Sequence, residues 1–255
     1  MKEYLQNLLD TRNSFVAPAF IIGFFILLLG LVIQSGISNI ANKDQSITVT
    51  GSTERFVESD TAKWTISVSE RAYGESAGVS ASRLAQRSAE NIKAYLVKNK
   101  IDESLISLQP AYLSPICELS SQGYENCSIG IKGQTASQNI VVETEDVFKV
   151  KDLTGRIANE VNGVNIVNNG VEYFFNGLKD IRVDMLSEAT KNARERAVAV
   201  AKAGGATVGS ITSLSSGVFQ VTQKNSVSVD DYGAYDTSTI EKKITATVKV
   251  NFGVK

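Results

Sequence analysis

The strongest constraint on this chain is a long apolar segment near its N-terminus. Residues 15–33 are uncharged and apolar, and no Asp, Glu, Lys or Arg occurs between Arg12 and Lys43. About 20 apolar residues in a helix cross a hydrocarbon core of roughly 30 Å. Such a segment either anchors a chain in a membrane or directs its export. In both cases the rest of the chain is expected to work outside the cytoplasm.

Two fates of this segment stay open from the residues alone. A cleavable signal usually has an apolar region of about 7–15 residues, followed by a small-x-small cleavage site. The block here is longer, which favours an uncleaved transmembrane helix over residues 15–34. Gly36-Ile37-Ser38 could nevertheless serve as a poor cleavage site.

The charges that flank the segment give only a small orientation bias, because Lys2 and Arg12 precede it and Lys43 follows it. A single leading span usually translocates the long part that follows. We therefore expect four regions, which are a cytoplasmic head, a transmembrane helix, a connector and one exported domain. Their ranges are 1–14, 15–34, 35–45 and 46–255.

The sequence contains no histidine. Histidine is the usual general base near neutral pH and a frequent metal ligand. Its absence excludes Ser-His-Asp and Cys-His catalysis and most catalytic zinc sites. P-loop, G-x-S-x-G and G-x-G-x-x-G motifs are also absent, and a formal net charge of −1 gives no basic footprint for nucleic acid. We expect no enzyme activity, catalytic residue, cofactor, metal or nucleic-acid partner, and we identify no small-molecule substrate.

Alternating apolar residues predict several half-buried strands. The clearest cover 47–51, 62–68 and 244–252, with residues 51–60 as a polar connection between the first two. Trp64 falls on the apolar face, which predicts a core position. Weaker patterns predict further strands, which cover 105–116, 134–144, 164–175 and 208–221.

Two of the weaker strands carry extra expectations. The face of 134–144 is less apolar at its start, so this strand is expected to project from the core as a hairpin and to offer an edge for pairing with another chain. In the 164–175 segment, Asn168-Asn169-Gly170 predicts a break with turn or bulge geometry.

Apolar residues at spacings of three and four predict three helices over 75–98, 146–161 and 180–203. The first and last carry alanine-rich stripes, which suit a close approach to a sheet. The stripe of the last helix is expected to consist of Leu186, Ala189, Ala193, Ala197 and Val200. Gly204-Gly205 ends this helix in the manner of a C-cap.

Cys117 and Cys127 are the two cysteines of the chain, and they flank a Gly-containing turn. In an oxidising compartment, a disulfide that closes this loop is the expected pairing. A metal site would need more ligands, and a C-x-x-C redox spacing is absent.

Residues 222–239 are polar and include Asp230, Asp231, Tyr232 and Asp236. Carboxylate oxygens could bind Ca²⁺, but the spacing matches no EF-hand loop. A solvated, mobile hairpin tip is the favoured interpretation.

Together these patterns predict an α+β fold. Antiparallel sheets carry two long alanine-striped helices, arranged in one or two lobes, and one N-terminal transmembrane helix precedes them.

The exported part resembles the SIMPL-domain family over about 45–255. Three segments carry the resemblance: Ile47–Gly51 with Asp60–Val68, then Val150–Phe175, and then the helix and following glycines of Glu188–Gly209. Thr53 and Ser59 depart from the family pattern, since members commonly have Gly and Pro there.

Bacterial members of this family are periplasmic or envelope-anchored α+β proteins. One relative is an immunodominant periplasmic antigen that assembles into a channel-like ring, and another is linked to defence against oxidative stress. The resemblance implies an inner-membrane-anchored periplasmic homo-oligomer with a role in envelope or oxidative-stress defence. A monomeric or small-oligomer binding or sensing module for an envelope partner is the alternative.

Overall fold

The computed structural model describes residues 16–41, 45–227, 230 and 232–255, and within the first helix it describes side chains for 18–33. The expected head 1–14, part of the connector (42–44) and Asp231 therefore lie outside the described residues. The described residues form four α-helices, which are Val16–Ala41 (α1), Ala77–Lys98 (α2), Val147–Glu160 (α3) and Leu178–Ala203 (α4). The strands are Ser46–Glu58 (β1), Thr61–Tyr73 (β2), Ile106–Leu108 (β3), Tyr112–Leu119 (β4), Glu125–Thr144 (β5), Ile166–Phe174 (β6), Val208–Ser216 (β7), Gln220–Gln223 (β8) and Glu241–Val254 (β9).

Two sheets contain these strands. One has the order β1-β9-β7, with β8 also paired to β9, and the other has the order β3-β5-β2-β6, with β4 also paired to β5. The pairs β2–β5, β2–β6, β3–β5, β4–β5, β7–β9 and β8–β9 are antiparallel. The expected α+β class with antiparallel sheets and long helices is thus confirmed.

Helix α1 contains the apolar segment of the sequence. Its described side chains, from Pro18 to Ile33, are all exposed. Among the residues that the structure describes, no helix is found that is both long enough and apolar enough to cross a membrane.

The chain divides into two compact units. Among the described residues, the first comprises 16–41, 45–51, 190–216 and 248–255, and the second comprises 52–189 and the described part of 217–247. In the first unit, the buried side chains of α4 are small, namely Ala193, Ala197 and Ala201. Those of β9 are larger, namely Val248, Val250 and Phe252. Strands β7 and β9 approach each other closely at Gly209 and Gly253. A Cβ on Gly209 would lie only 3.0 Å from the carbonyl oxygen of Gly253.

In the second unit, α2 packs on β2 and β5, and α3 packs on β6 and β2. The inward residues of β2 are fully buried, which are Ala62, Trp64, Ile66 and Val68. Trp64 therefore lies in the core as expected, and its Nε1 donates a hydrogen bond to Oδ1 of Asn169 at 2.6 Å. At the N-terminal half of α2, Ala81 and Ala85 meet Ala136 of the sheet, and their small size permits this close packing.

Three strand expectations were wrong. Strand β1 continues to Glu58, so residues 51–60 are not a polar connection. Strand β6 runs unbroken from Ile166 to Phe174, and its irregularity is one extra residue, Val167, rather than a break at 168–170. The expected strand 208–221 is interrupted at 217–219, which separates β7 from β8.

The strand 134–144 is also not an edge. It is the C-terminal part of β5, and β2 pairs with it from Gly133 to Thr144. Its other side is paired with β4 and β3. The expectation that 134–144 projects from the core and offers an edge to another chain is therefore wrong.

The buried stripe of α4 differs by one residue at each end from the expected stripe. Met185 and Ala201 are buried, whereas Leu186 is half-buried and Val200 is 57% exposed. A strict spacing of four residues keeps the buried side chains on one helix face. The expected C-cap is confirmed, because Gly205 adopts a φ of +75° and the N–H of Ala206 donates to the carbonyl of Ala201 at 2.9 Å.

Candidate functional site: the β4–β5 hairpin

Strands β4 and β5 form a hairpin that extends past the end of β2. They pair from Tyr112–Ser137 to Leu119–Glu125. Strand β2 pairs with β5 only as far as Gly133. Residues 117–132 therefore form a two-stranded projection within the described part of the second unit.

Gly133 marks the base of the projection. A Cβ at this position would clash with the carbonyl oxygen of Ala72 and would lie 2.9 Å from Cδ1 of Tyr73. The close approach of the two backbones thus requires glycine where β2 ends and the hairpin leaves the sheet.

The tip of the hairpin is closed by a turn and a disulfide. The N–H of Gly123 donates to the carbonyl of Ser120 at 2.8 Å, and Gly123 has a φ of +82°. Cys117 and Cys127 are bonded to each other, with their Cα atoms 4.6 Å apart. The expected loop-closing disulfide is present in the structure.

The disulfide lies beside an irregularity in strand register. Cys117 is paired with Ile131, but the next residue, Glu118, is paired with Asn126. Residues 127–130 are therefore extra on the β5 side. The covalent bond from Cys117 to Cys127 holds these extra residues against β4.

The hairpin exposes several large apolar side chains. Six large apolar side chains between residues 112 and 131 are 41–73% exposed, and we call them the hairpin surface: Tyr112, Leu113, Leu119, Tyr124, Ile129 and Ile131. Single exposed apolar residues are normal, whereas several large ones on one short hairpin point to an interaction site. The hairpin surface is therefore the candidate functional site of the second unit.

The backbone edge of β4 contributes less than its side chains. Among the described residues, β5 is the strand partner of β4, and no strand is paired to its other edge. Pro115 lies in β4 and lacks an N–H, which limits the ladder that another strand could form there. Side-chain packing is consequently the contact that this surface suits best.

A buried charge pair lies in a second part of the same unit. Lys242 of β9 is fully buried, and its Nζ donates to the carbonyl oxygens of Asp236 at 2.6 Å and Thr239 at 2.7 Å. The same Nζ lies 3.2 Å from Oδ2 of Asp236. Three oxygen acceptors therefore satisfy the three N–H groups of the ammonium.

The pKa values of both members of this pair are shifted. Burial acts to raise the pKa of Asp236, but hydrogen bonds from Ser238, Thr239 and Lys242 outweigh burial and hold its pKa well below the usual range. Burial lowers the pKa of Lys242, which the partner carboxylate partly opposes. Asp236 is therefore a carboxylate that fixes the 236–240 turn by accepting hydrogen bonds.

The acidic residues of the 222–239 segment do not converge. Oδ1 of Asp230 accepts from the N–H of Tyr232 at 2.8 Å, whereas Asp236 bonds its own turn. Within the described ranges, no group of three or more His, Cys, Asp or Glu is placed to hold a metal ion. For residues 236–239 the expectation of a solvated tip was wrong, since Asp236, Thr237 and Thr239 are half-buried.

Strand periodicity offered a signal for Lys242 that the sequence interpretation missed. Ile244, Ala246, Val248, Val250 and Phe252 are the even-numbered inward residues of β9. Lys242 has the same parity, so alternation alone places it on the inner face. The hairpin surface had a weaker signal, because its apolar residues do not follow one strict alternation.

The two departures from the SIMPL pattern have structural uses. Oγ1 of Thr53 donates to Oε2 of Glu188 at 2.9 Å, beside the Arg55–Glu188 ion pair at 2.8 Å. Ser59 is buried, and its Oγ donates to the carbonyl of Ile240 at 3.1 Å. Glycine and proline could make neither side-chain bond.

The chain is similar to a known protein family over most of its length. The SIMPL family model, described as a protein of unknown function (DUF541), matches residues 47–252. A comparison with curated proteins finds no match. The family match spans most of the chain and includes the hairpin and the buried charge pair. The chain therefore belongs to the SIMPL family.

Proposed function

We propose that this protein is a non-enzymatic envelope component that self-associates through the hairpin surface while residues 15–34 hold it in the inner membrane. The exposed apolar hairpin is the observation that carries this proposal. The second copy is the proposed occupant of that surface, and the domain over 46–255 is proposed to lie in the periplasm.

The membrane part of the proposal rests on the N-terminal segment. Residues 15–33 are uncharged, and the described side chains of α1 expose large apolar groups to the surroundings. Exposure of this apolar surface to water is unfavourable, whereas the hydrocarbon interior of a membrane accommodates it. Anchors inserted from one side give all subunits a common orientation along the membrane normal, and cyclic symmetry meets that constraint simply.

Two further supports come from the sequence. The absence of histidine removes the common catalytic constellations, which supports a non-enzymatic role. The resemblance to a ring-forming antigen and to a relative linked to oxidative stress supports self-assembly and a role in envelope or oxidative-stress defence.

A monomeric or small-oligomer binding module is the second candidate. It is favoured by a pocket in the second unit, whose lining includes Glu58, Lys151 and Tyr173. A monomeric solution mass is compatible only with this second candidate.

Size-exclusion chromatography with light scattering tests the proposal. Full-length protein in mild detergent and the 45–255 fragment are each measured at tens of micromolar. We expect the full-length protein to have a mass of several subunits after subtraction of detergent. Monomers in both preparations would refute self-association and leave the binding-module function.

A further inference from the structure

A pocket of about 560 Å³ lies within the second unit, between the end of β1, helix α3, strand β6 and the 238–241 segment. Its volume lies within the range of small-molecule sites, which is roughly 300–1,000 Å³. The residues that matter chemically are Glu58, Phe148, Lys151, Tyr173, Lys224 and Glu241.

Two of the four charges in the pocket neutralise each other. Nζ of Lys224 lies 2.9 Å from Oε1 of Glu241. Glu58 and Lys151, in contrast, have no ion-pair partner among the described residues. The pocket therefore presents one available carboxylate and one available ammonium, which come from β1 and α3.

Aromatic side chains supply the apolar part of the lining. Phe148 is 56% exposed and precedes Lys151 by three residues on α3, so the two lie on neighbouring parts of one helix face. Tyr173 is almost fully buried, and burial raises the pKa of its hydroxyl. A ligand with a carbon skeleton could therefore pack on rings while its charges meet the two available side chains.

One wall of the pocket is held in place before any ligand binds. Ser238 and Thr239 line it, and both donate side-chain hydrogen bonds to Asp236, at 2.7 and 2.6 Å. Lys242 fixes the same turn from inside through the carbonyls of Asp236 and Thr239. A preformed wall lowers the ordering cost of binding.

We propose that this pocket binds a small zwitterion of the amino-acid or short-peptide class that carries an apolar side chain. Glu58 receives the ammonium of the ligand, Lys151 receives its carboxylate, and Phe148 packs on the apolar side chain. The proposal does not depend on self-association, because every residue that it uses lies in one unit of one chain.

Isothermal titration of full-length protein in mild detergent tests this, with the dipeptide Ala-Phe as the probe. N-acetyl-Ala-Phe-amide, which has the same side chains and neither charge, is the matched ligand. We expect saturable binding of Ala-Phe and binding at least about tenfold weaker for the blocked form, since charged hydrogen bonds are lost.

Variants Glu58→Gln and Lys151→Gln should each weaken Ala-Phe binding by about tenfold. Both side chains are exposed, so the fold should tolerate the change. Glu90→Gln and Lys98→Gln, exposed on α2, are the matched controls and should bind as the wild type does. No saturable binding up to about 10 mM, equal binding of the blocked form, unchanged affinity in either pocket variant, or equal losses in the controls would overturn the proposal.

Discussion

The ammonium of Lys242 lies in the interior of the second unit, where it donates hydrogen bonds to Asp236 and Thr239. Replacing the lysine by methionine keeps most of the volume but removes the positive charge beside the Asp236 carboxylate, whose side chain is only 13% exposed. Breaking a buried pair by removing one partner typically costs about 3–5 kcal/mol.

We therefore expect Lys242→Met to lower the free energy of unfolding by about 3 kcal/mol. Denaturation of the 45–255 fragment, followed by the fluorescence of the buried Trp64, measures it. Lys249→Met, at an exposed position of the same strand, is the control and should change stability by less than about 0.5 kcal/mol. A Lys242→Met protein as stable as this control would show that the pair is not needed.

The Asp236–Lys242 pair also predicts that the stability of the fold depends on pH. The pKa of Asp236 is lowered from 3.8 in the fold. Its ionised form therefore stabilises the fold above the unfolded pKa, and this contribution is lost as pH falls through 3.8 towards the folded pKa. The substitution Asp236→Asn removes this pH-dependent contribution to stability. We expect the stability difference between wild type and Asp236→Asn to shrink from pH 7 to pH 3, whereas an equal difference at both pH values would contradict the assignment.

At the scale of single elements, the hairpin depends on its disulfide. In the chain-entropy model, closing a loop of about ten residues is worth roughly 2–3 kcal/mol. Because the projection lies beyond β2, loss of the disulfide should loosen residues 117–132 more than the core around Trp64.

We expect the double variant Cys117→Ser/Cys127→Ser to unfold with a loss of at most about 2–3 kcal/mol. Its amides at 117–132 should exchange hydrogen much faster, while those of β2 keep most of their protection. Mass spectrometry of periplasm-derived wild-type protein should find Cys117 bonded to Cys127. Two free thiols would rule out the bond, and unchanged exchange in the double variant would show that the bond does not restrain the hairpin.

Elements with strong local patterns could be predicted from the sequence, and pairings between distant segments could not. The alternation of Ala62, Trp64, Ile66 and Val68 identified β2 and its buried face. The same kind of pattern does not say which strand lies beside which, so the sequence interpretation made 134–144 an edge. The structure places it between β2 on one side and β3 and β4 on the other.

The sequence predicted a loop closed by Cys117 and Cys127, but it did not predict that β4 and β5 continue into residues 117–132. The register shifts at Cys117 and Glu118 break the period of two, so the projecting part of β5 had no clean strand signal. The cysteines alone pointed to a loop here. The sequence does not show that the apolar residues of the hairpin surface are exposed, because their exposure depends on how the other strands and helices pack.

At the scale of the whole molecule, the proposed membrane attachment depends on the N-terminal segment being retained. We expect the mature protein to contain residues 15–33 and to fractionate with the inner membrane, because the apolar block exceeds a typical signal region. N-terminal sequencing of purified protein checks this. A mature chain that begins near Asn39 or Asp44 would contradict the anchor.

The central claim is that copies of this protein associate through the hairpin surface. Ile129→Ser/Ile131→Ser removes two of its exposed apolar side chains without touching a buried position. Val183→Ser, at a 74% exposed position of α4, removes a similar group elsewhere and serves as the control.

Light scattering of the three full-length proteins in mild detergent, at the same tens of micromolar, is the most direct measurement. We predict that wild type and Val183→Ser have the same multi-subunit mass and that Ile129→Ser/Ile131→Ser dissociates towards the monomer. A double variant with the mass of an intact wild-type oligomer, or a wild type that is itself monomeric, would contradict the claim.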